Sequence, residues 1–113
     1  MNHCQRRLHR AFTEGGGNPA DPRQAENLAQ FVRTQLLLLP PAVRRAVAAV
    51  LEAGERAYYE DVADVLSARE GRGVTSTAAR KRVSRGLLML ERVIRDRAWE
   101  IAASTVPSGH KAA

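Results

Sequence analysis

Residues 75–97, which read TSTAARKRVSRGLLMLERVIRDR, decide the fold class of this chain. At 100° per residue, six small or apolar positions fall on one side of a helix and predict the face that packs inward. Thr75 precedes this pattern and is predicted to cap the helix, which is expected to continue to Trp99 or Ala102. The inward positions are Ala79, Val83, Gly86, Leu87, Leu90 and Ile94.

The opposite side of this helix is basic and rich in hydroxyl groups in its first half. A helix fits the major groove of DNA, and its first turns are the part that reaches base edges. Ser76 and Thr77 add short hydroxyls and free backbone N–H groups that can receive a phosphate. A solvated basic face without a partner is the alternative interpretation. The predicted DNA-binding residues are Thr75, Ser76, Thr77, Arg80, Lys81, Arg82, Ser84 and Arg85.

Three further helices are predicted upstream, and no segment alternates apolar and polar residues as a strand would. The first ends before Pro40-Pro41, because the residue preceding a proline is pushed out of the α region. The second is closed by Gly54, and the third precedes Gly71-Arg72-Gly73. The expectation is an all-α, four-helix domain over residues 22–102. The three upstream helices cover about residues 22–39, 41–54 and 58–69.

Both ends of the chain are expected to lie outside this domain. Residues 1–21 are predicted to form a flexible N-terminal arm and Gly-rich linker, because three consecutive glycines cost too much backbone entropy inside an element. His3, Cys4 and His9 lack a fourth ligand at a useful spacing, so no metal site is predicted. The small, polar tail, residues 103–113, is predicted to be disordered.

The charge of the chain is concentrated near its end. The 113 residues carry a formal net charge of +6, and residues 74–113 hold eight basic residues against three acidic ones. A basic concentration on one element is typical of a nucleic-acid-binding protein. Sixteen of the 18 basic residues are arginine, whose fork suits phosphate and guanine, although a GC-rich genome gives the same bias.

Composition also narrows the class of protein. The length suits one domain, and the single cysteine excludes an internal disulfide framework. No apolar run approaches the roughly 20 residues of a membrane span, and no secretory signal is present. The expectation is a bacterial cytoplasmic protein, associated with the nucleoid, that uses no cofactor and has no membrane partner.

Three blocks of sequence resemble region 4 of the sigma-70 family of RNA polymerase sigma factors, in the order found in that family. The resemblance covers roughly residues 36–97 and implies a helix-turn-helix that reads the −35 promoter element while docking on the flap of the polymerase β subunit. The blocks are Leu39-Pro40-Pro41 with Arg44 and Val47, Tyr59-Glu60-Asp61-Val62-Ala63, and Arg82-Val83-Ser84-Arg85-Gly86 with Leu90.

The same resemblance implies roles for individual residues. Thr75 would cap the recognition helix, and Arg82 and Arg85 would hold phosphates. The base-facing residues would be Thr77, Arg80, Lys81 and Ser84.

The chain departs from the family pattern in three places. Ala68 to Gly73 form an apparent insertion of six residues between the two helices of the motif. Leu88 and Met89 occupy a pair of positions that is usually charged in the family. No stretch matches sigma region 2, so this chain is not expected to act alone as a complete sigma factor.

Two classes of function remain open at this point. The first is a DNA-binding transcription protein, and the second is a sigma-like adaptor or decoy that binds polymerase or another transcription protein without reading DNA. An enzyme is not predicted, because Glu60, Asp61 and Asp64 have no paired nucleophile or phosphate loop. Leu88 and Met89 are predicted either to be covered by the N-terminal segment or to bind the polymerase flap, a region-2-like protein or a second copy of the chain.

Overall fold

Six helices make up residues 1–104, the part of the chain that the computed structural model describes. No strand occurs within these residues, so the expected all-α class is confirmed for them. No helix between residues 1 and 104 is both long and apolar enough to cross a membrane. In chain order the helices are α1 (His3–Glu14), α2 (Pro22–Leu36), α3 (Pro41–Glu52), α4 (Tyr59–Glu70), α5 (Ser76–Asp96) and α6 (Ala98–Ala103).

Helix α5 is the centre of the packing. Helices α1, α3 and α4 pack directly against it, whereas α2 packs mainly against α6. The six inward positions expected from the periodicity of α5 are all buried. The main core side chains that meet them include Phe12 from α1, Val47 from α3 and Leu66 from α4, each of which is fully buried.

The N-terminal segment differs most from the expectation, since residues 3–14 form helix α1 rather than part of a flexible arm. Asn2 caps this helix by accepting hydrogen bonds from the backbone N–H groups of Cys4 and Gln5. An apolar stripe along α1 faces α5, because its positions recur at helical spacing. The stripe consists of Cys4, Leu8, Ala11 and Phe12, all of them buried.

The glycines after α1 allow close packing, which corrects their interpretation as a linker. Gly15 ends the helix, and a β-carbon there would overlap the carbonyl oxygen of Arg95 and the β-carbon of Ala98. A β-carbon at Gly17 would overlap the ring of Phe12. Glycine is required at these two positions because the backbone itself approaches its neighbours closely.

Two helix ends also differ from the sequence-based expectation. Helix α2 ends at Leu36, and a tighter turn carries the chain through to Leu39, which is buried before Pro40. Helix α5 ends at Asp96, because Arg97 leaves the helical conformation with φ −117° and ψ 18°. The chain then bends into α6, and the buried side chain of Asn27 donates to the carbonyl groups of Ile101 in α6 and of Ser104 just after it.

Helices α3 and α4 lie close to where the sequence predicted them. Helix α3 begins at Pro41 and α4 covers Tyr59–Glu70, close to the predicted bounds. Ala103 ends α6, and Ser104 follows it in extended conformation. The remainder of the expected disordered tail, residues 105–113, lies outside the described residues.

Candidate nucleic-acid interface

The N-terminal half of α5 presents the predicted polar face to solvent. Thr77, Lys81, Ser84 and Arg85 are all exposed, on the side of α5 opposite its buried stripe. Thr75 caps the helix, as predicted, by accepting a hydrogen bond from the backbone N–H of Ala78 at 3.0 Å. The cap leaves other N–H groups of the first turn without helical partners, so this end of α5 favours an anion.

Helix α4 and the chain after it set the direction in which α5 projects. Ser67 of α4 binds the segment that leads into α5, because its hydroxyl accepts a hydrogen bond from the backbone N–H of Val74 at 2.8 Å. Gly71 ends α4 in the left-handed conformation with φ 71°, which glycine adopts without strain. Only four residues, 72–75, then separate Gly71 from α5. Half of the apparent insertion, residues 68–70, therefore extends α4, and only the other half enlarges the turn.

The two arginines at the flanks of α5 are both engaged within the protein. The guanidinium carbon of Arg80 lies over the ring of Tyr59, 4.9 Å from its centroid. Arg82 lies on the other flank and donates to the carboxylate of Glu70 at 2.7 Å. Tyr59 begins α4 and Glu70 ends it, so α5 is tied to both ends of α4.

Glu70 is the centre of a charge cluster that was not predicted. Its side chain is 7% exposed and pairs with Arg82, Arg45 of α3 and Arg72 of the turn. Hydrogen bonds from Arg82 hold the pKa of the Glu70 carboxyl below its usual range, with a further contribution from Arg45. Arg82, whose side chain is 18% exposed, therefore stabilises the turn instead of projecting freely toward a phosphate.

Three other cations on α5 have no such partner. Lys81, Arg85 and Arg92 are exposed and make no ion pair with any residue between 1 and 104. Arg92 was missed in the sequence analysis, although it lies seven residues after Arg85, which places both on one side of the helix. The exposed face thus carries a row of cations free to meet an anionic partner.

Leu88 and Met89 interrupt this basic row with apolar surface. They are 60% and 45% exposed, so α1 does not cover them. Leu37 and Leu38, between α2 and α3, are also exposed, and the next residue, Leu39, packs beside Gly86 of α5. Leu88 and Met89 are therefore available to a partner.

Residues 1–104 hold few features that would suit another kind of site. No group of three or more metal-ligating side chains occurs there, although His3 and Cys4 approach one another at 3.4 Å between Nε2 and Sγ. A groove with a volume of about 490 Å³ is lined by Met1 and residues of α1, α2 and α3, and includes no residue of α5. The basic face of α5 therefore remains the candidate functional site.

No protein-family model, curated protein or solved structure matches this chain.

Proposed function

We propose that this chain is a DNA-binding transcription protein in which α4, the following turn and α5 act as a helix-turn-helix. The observation that carries the proposal is the row of unpaired cations along the exposed face of α5. A helix of this kind fits the major groove, with its first turns at the base edges. The resemblance to sigma region 4 favours promoter DNA, at a −35-like element, as the target and RNA polymerase as a docking partner.

In this proposal the residues of α5 divide into two functional groups. Thr77, Lys81 and Ser84, with Arg80 at the flank, meet base edges, where hydrogen bonds discriminate one sequence from another. Arg85 meets the phosphate backbone, which positions the helix without reading sequence. Thr75 and Ser76 place the first turn, whose free N–H groups suit a phosphate.

Arg82 has a different role in this arrangement from the one implied by the family resemblance. Its guanidinium is occupied by Glu70, so it contributes to DNA binding by fixing the angle between α4 and α5. Arg92 replaces Arg82 as a cation that is available to phosphates. The four α5 cations without an ion pair in the described residues are thus Arg80, Lys81, Arg85 and Arg92.

The salt dependence of binding to duplex DNA tests this proposal. If each of the four cations Arg80, Lys81, Arg85 and Arg92 displaces one counterion from the duplex, at a base edge or at a phosphate, the slope of log affinity against log salt is near −3.6. Arg85→Ala should reduce the magnitude of the slope to about 2.7, because one released counterion is lost. Arg82→Ala serves as the matched control: it should lower thermal stability and leave the slope near −3.6. A wild-type slope indistinguishable from zero would contradict DNA binding.

The exposed apolar pair favours a second candidate function, that of an adaptor that docks on RNA polymerase without reading DNA. Leu88 and Met89 lie beside the basic row, and methionine adapts readily to binding surfaces. Replacing both by Gln removes the apolar surface and adds no charge, so helicity and melting temperature should be unchanged. Under the adaptor function, co-sedimentation with purified bacterial core polymerase is lost in this variant, and the wild type shows no preference among duplex sequences.

A further inference from the structure

The ring of Tyr59 lies between two other helices and is held by one of them. His3 of α1 meets it edge-on, with ring centroids 6.3 Å apart and an interplanar angle of 70°. Burial and the neighbouring thiol of Cys4, also on α1, raise the pKa of the Tyr59 phenol. The ring is half-buried, so α1 fixes its position while Arg80 of α5 lies over it.

The stack leaves the hydrogen-bonding groups of Arg80 free. A cation over the face of an aromatic ring is attracted by the ring quadrupole, and a guanidinium has five N–H donors, more than such a contact can use. Arg80 makes no ion pair with residues 1–104, so no carboxylate there competes for these donors. An exposed arginine is otherwise free to sample many rotamers. Tyr59 therefore restricts Arg80 before any partner arrives.

We infer that Tyr59 is a positioning residue that sets sequence specificity by holding Arg80 ready to form paired hydrogen bonds with a guanine edge. Paired bonds from arginine to guanine are the commonest specific contact in the major groove. They demand a well-placed guanidinium, and the contact with Tyr59 restricts the position of the Arg80 guanidinium before binding. This inference rests on the proposed DNA-binding function, and it assigns to α1 a share in recognition although α1 itself contacts no base.

The experiment begins with a random-sequence duplex library of about 20 base pairs, from which the wild-type chain enriches a preferred duplex. Affinity is then measured for that duplex and for versions in which each guanine is replaced. Tyr59→Leu should lower discrimination at one guanine about two- to five-fold, the range expected for an exposed cation–π contact. Tyr59→Phe, which keeps the ring, should retain full discrimination.

Tyr58→Leu is the matched control, because Tyr58 is the neighbouring tyrosine and is 53% exposed, and within residues 1–104 its side chain accepts a hydrogen bond only from Arg56. It should leave discrimination unchanged. Tyr59→Leu should also leave the salt slope unchanged, since Arg80 keeps its charge. A merely structural role for Tyr59 would weaken binding to all duplexes alike, with no change in discrimination, and would overturn the inference.

Two further measurements make the result independent of a single variant. In the Arg80→Ala background, Tyr59→Leu should cause no additional loss of discrimination, because the positioned group is already gone. In the DNA-free wild type, NMR should show ring-current shifts of the Arg80 side-chain protons that disappear in Tyr59→Leu. Arg80 shifts at random-coil values would overturn the inference, even if Tyr59→Leu failed to fold. Absence of any enriched duplex would instead contradict the proposed function itself.

Discussion

Gly86 lies where α5 meets α3, and replacing it by alanine should destabilise the protein. A β-carbon at this position would overlap Cγ2 of Val47 and would lie 2.9 Å from Cγ1 of Val43. Both valines are on α3, and a valine in a helix has one strongly preferred rotamer, so neither methyl group can turn away freely. The substitution therefore forces α5 and α3 apart.

The size of the effect is a difference between two opposing terms. Alanine is favoured over glycine inside a helix by about 0.8–1.0 kcal/mol. Overpacking a well-packed core costs about 1–3 kcal/mol. The net expectation for Gly86→Ala is a loss of about 1 kcal/mol in the free energy of unfolding, or about 4 °C in melting temperature for a domain of this size.

Urea unfolding followed by far-UV circular dichroism measures this change. Two further variants serve as controls for its cause. At Gly73, a β-carbon would meet nothing within 4 Å and φ is not positive, so Gly73→Ala should stabilise by about 0.4–1 kcal/mol. Adding Val47→Ala to Gly86→Ala should relieve the overlap and give a favourable coupling of at least about 0.5 kcal/mol. A more stable Gly86→Ala protein with no coupling to Val47 would refute the packing argument.

Two further predictions concern the Glu70 cluster and the docking of α1. Because the pKa of Glu70 is lowered in the folded state, the stabilisation from its charge is complete above the ordinary glutamate range, about 4.3, and is lost as the pH falls through the lowered pKa. The stability difference between wild type and Glu70→Gln should thus be constant above about pH 5 and shrink below it, and identical pH profiles would contradict this. Burial raises the pKa of the Cys4 thiol, so iodoacetamide should label the native protein slowly. Phe12→Ala should destabilise by about 3–5 kcal/mol and accelerate that labelling, whereas Arg10→Ala, at an exposed position of α1, should do neither.

Local sequence signals were sufficient to predict the buried face of α5 and its N-terminal cap. The apolar period of α5 predicted its buried stripe, and Thr75 sits where a hydroxyl completes the first turn. Helix α1 was misjudged because its Arg-rich sequence and the following glycines also fit an unstructured arm. What distinguishes the two is the fit of Gly15 against Arg95 and Ala98, some 80 residues further along the chain, and no local pattern encodes that fit.

The electrostatic part of the candidate site was predictable only in part. Arg85 and Lys81 were assigned to the exposed face from the helical period alone, which gives direction without needing a partner. The pairing of Arg82 with Glu70 joins residues on two helices across a turn, so it depends on how that turn folds. Sequence separation hides such pairs, even though they decide which cations are left for a ligand.

The packing of α1 against α5 also orders events during synthesis. Arg7 pairs with Glu91 and Glu14 with Arg95, so these contacts join residues more than 80 positions apart. When α1 leaves the ribosome, the surface that buries Leu8 and Phe12 has not yet been translated. The apolar stripe of α1 therefore stays exposed to solvent while the helices between α1 and α5 are synthesised. The segment of this fold that is synthesised first is therefore among the last to find its place.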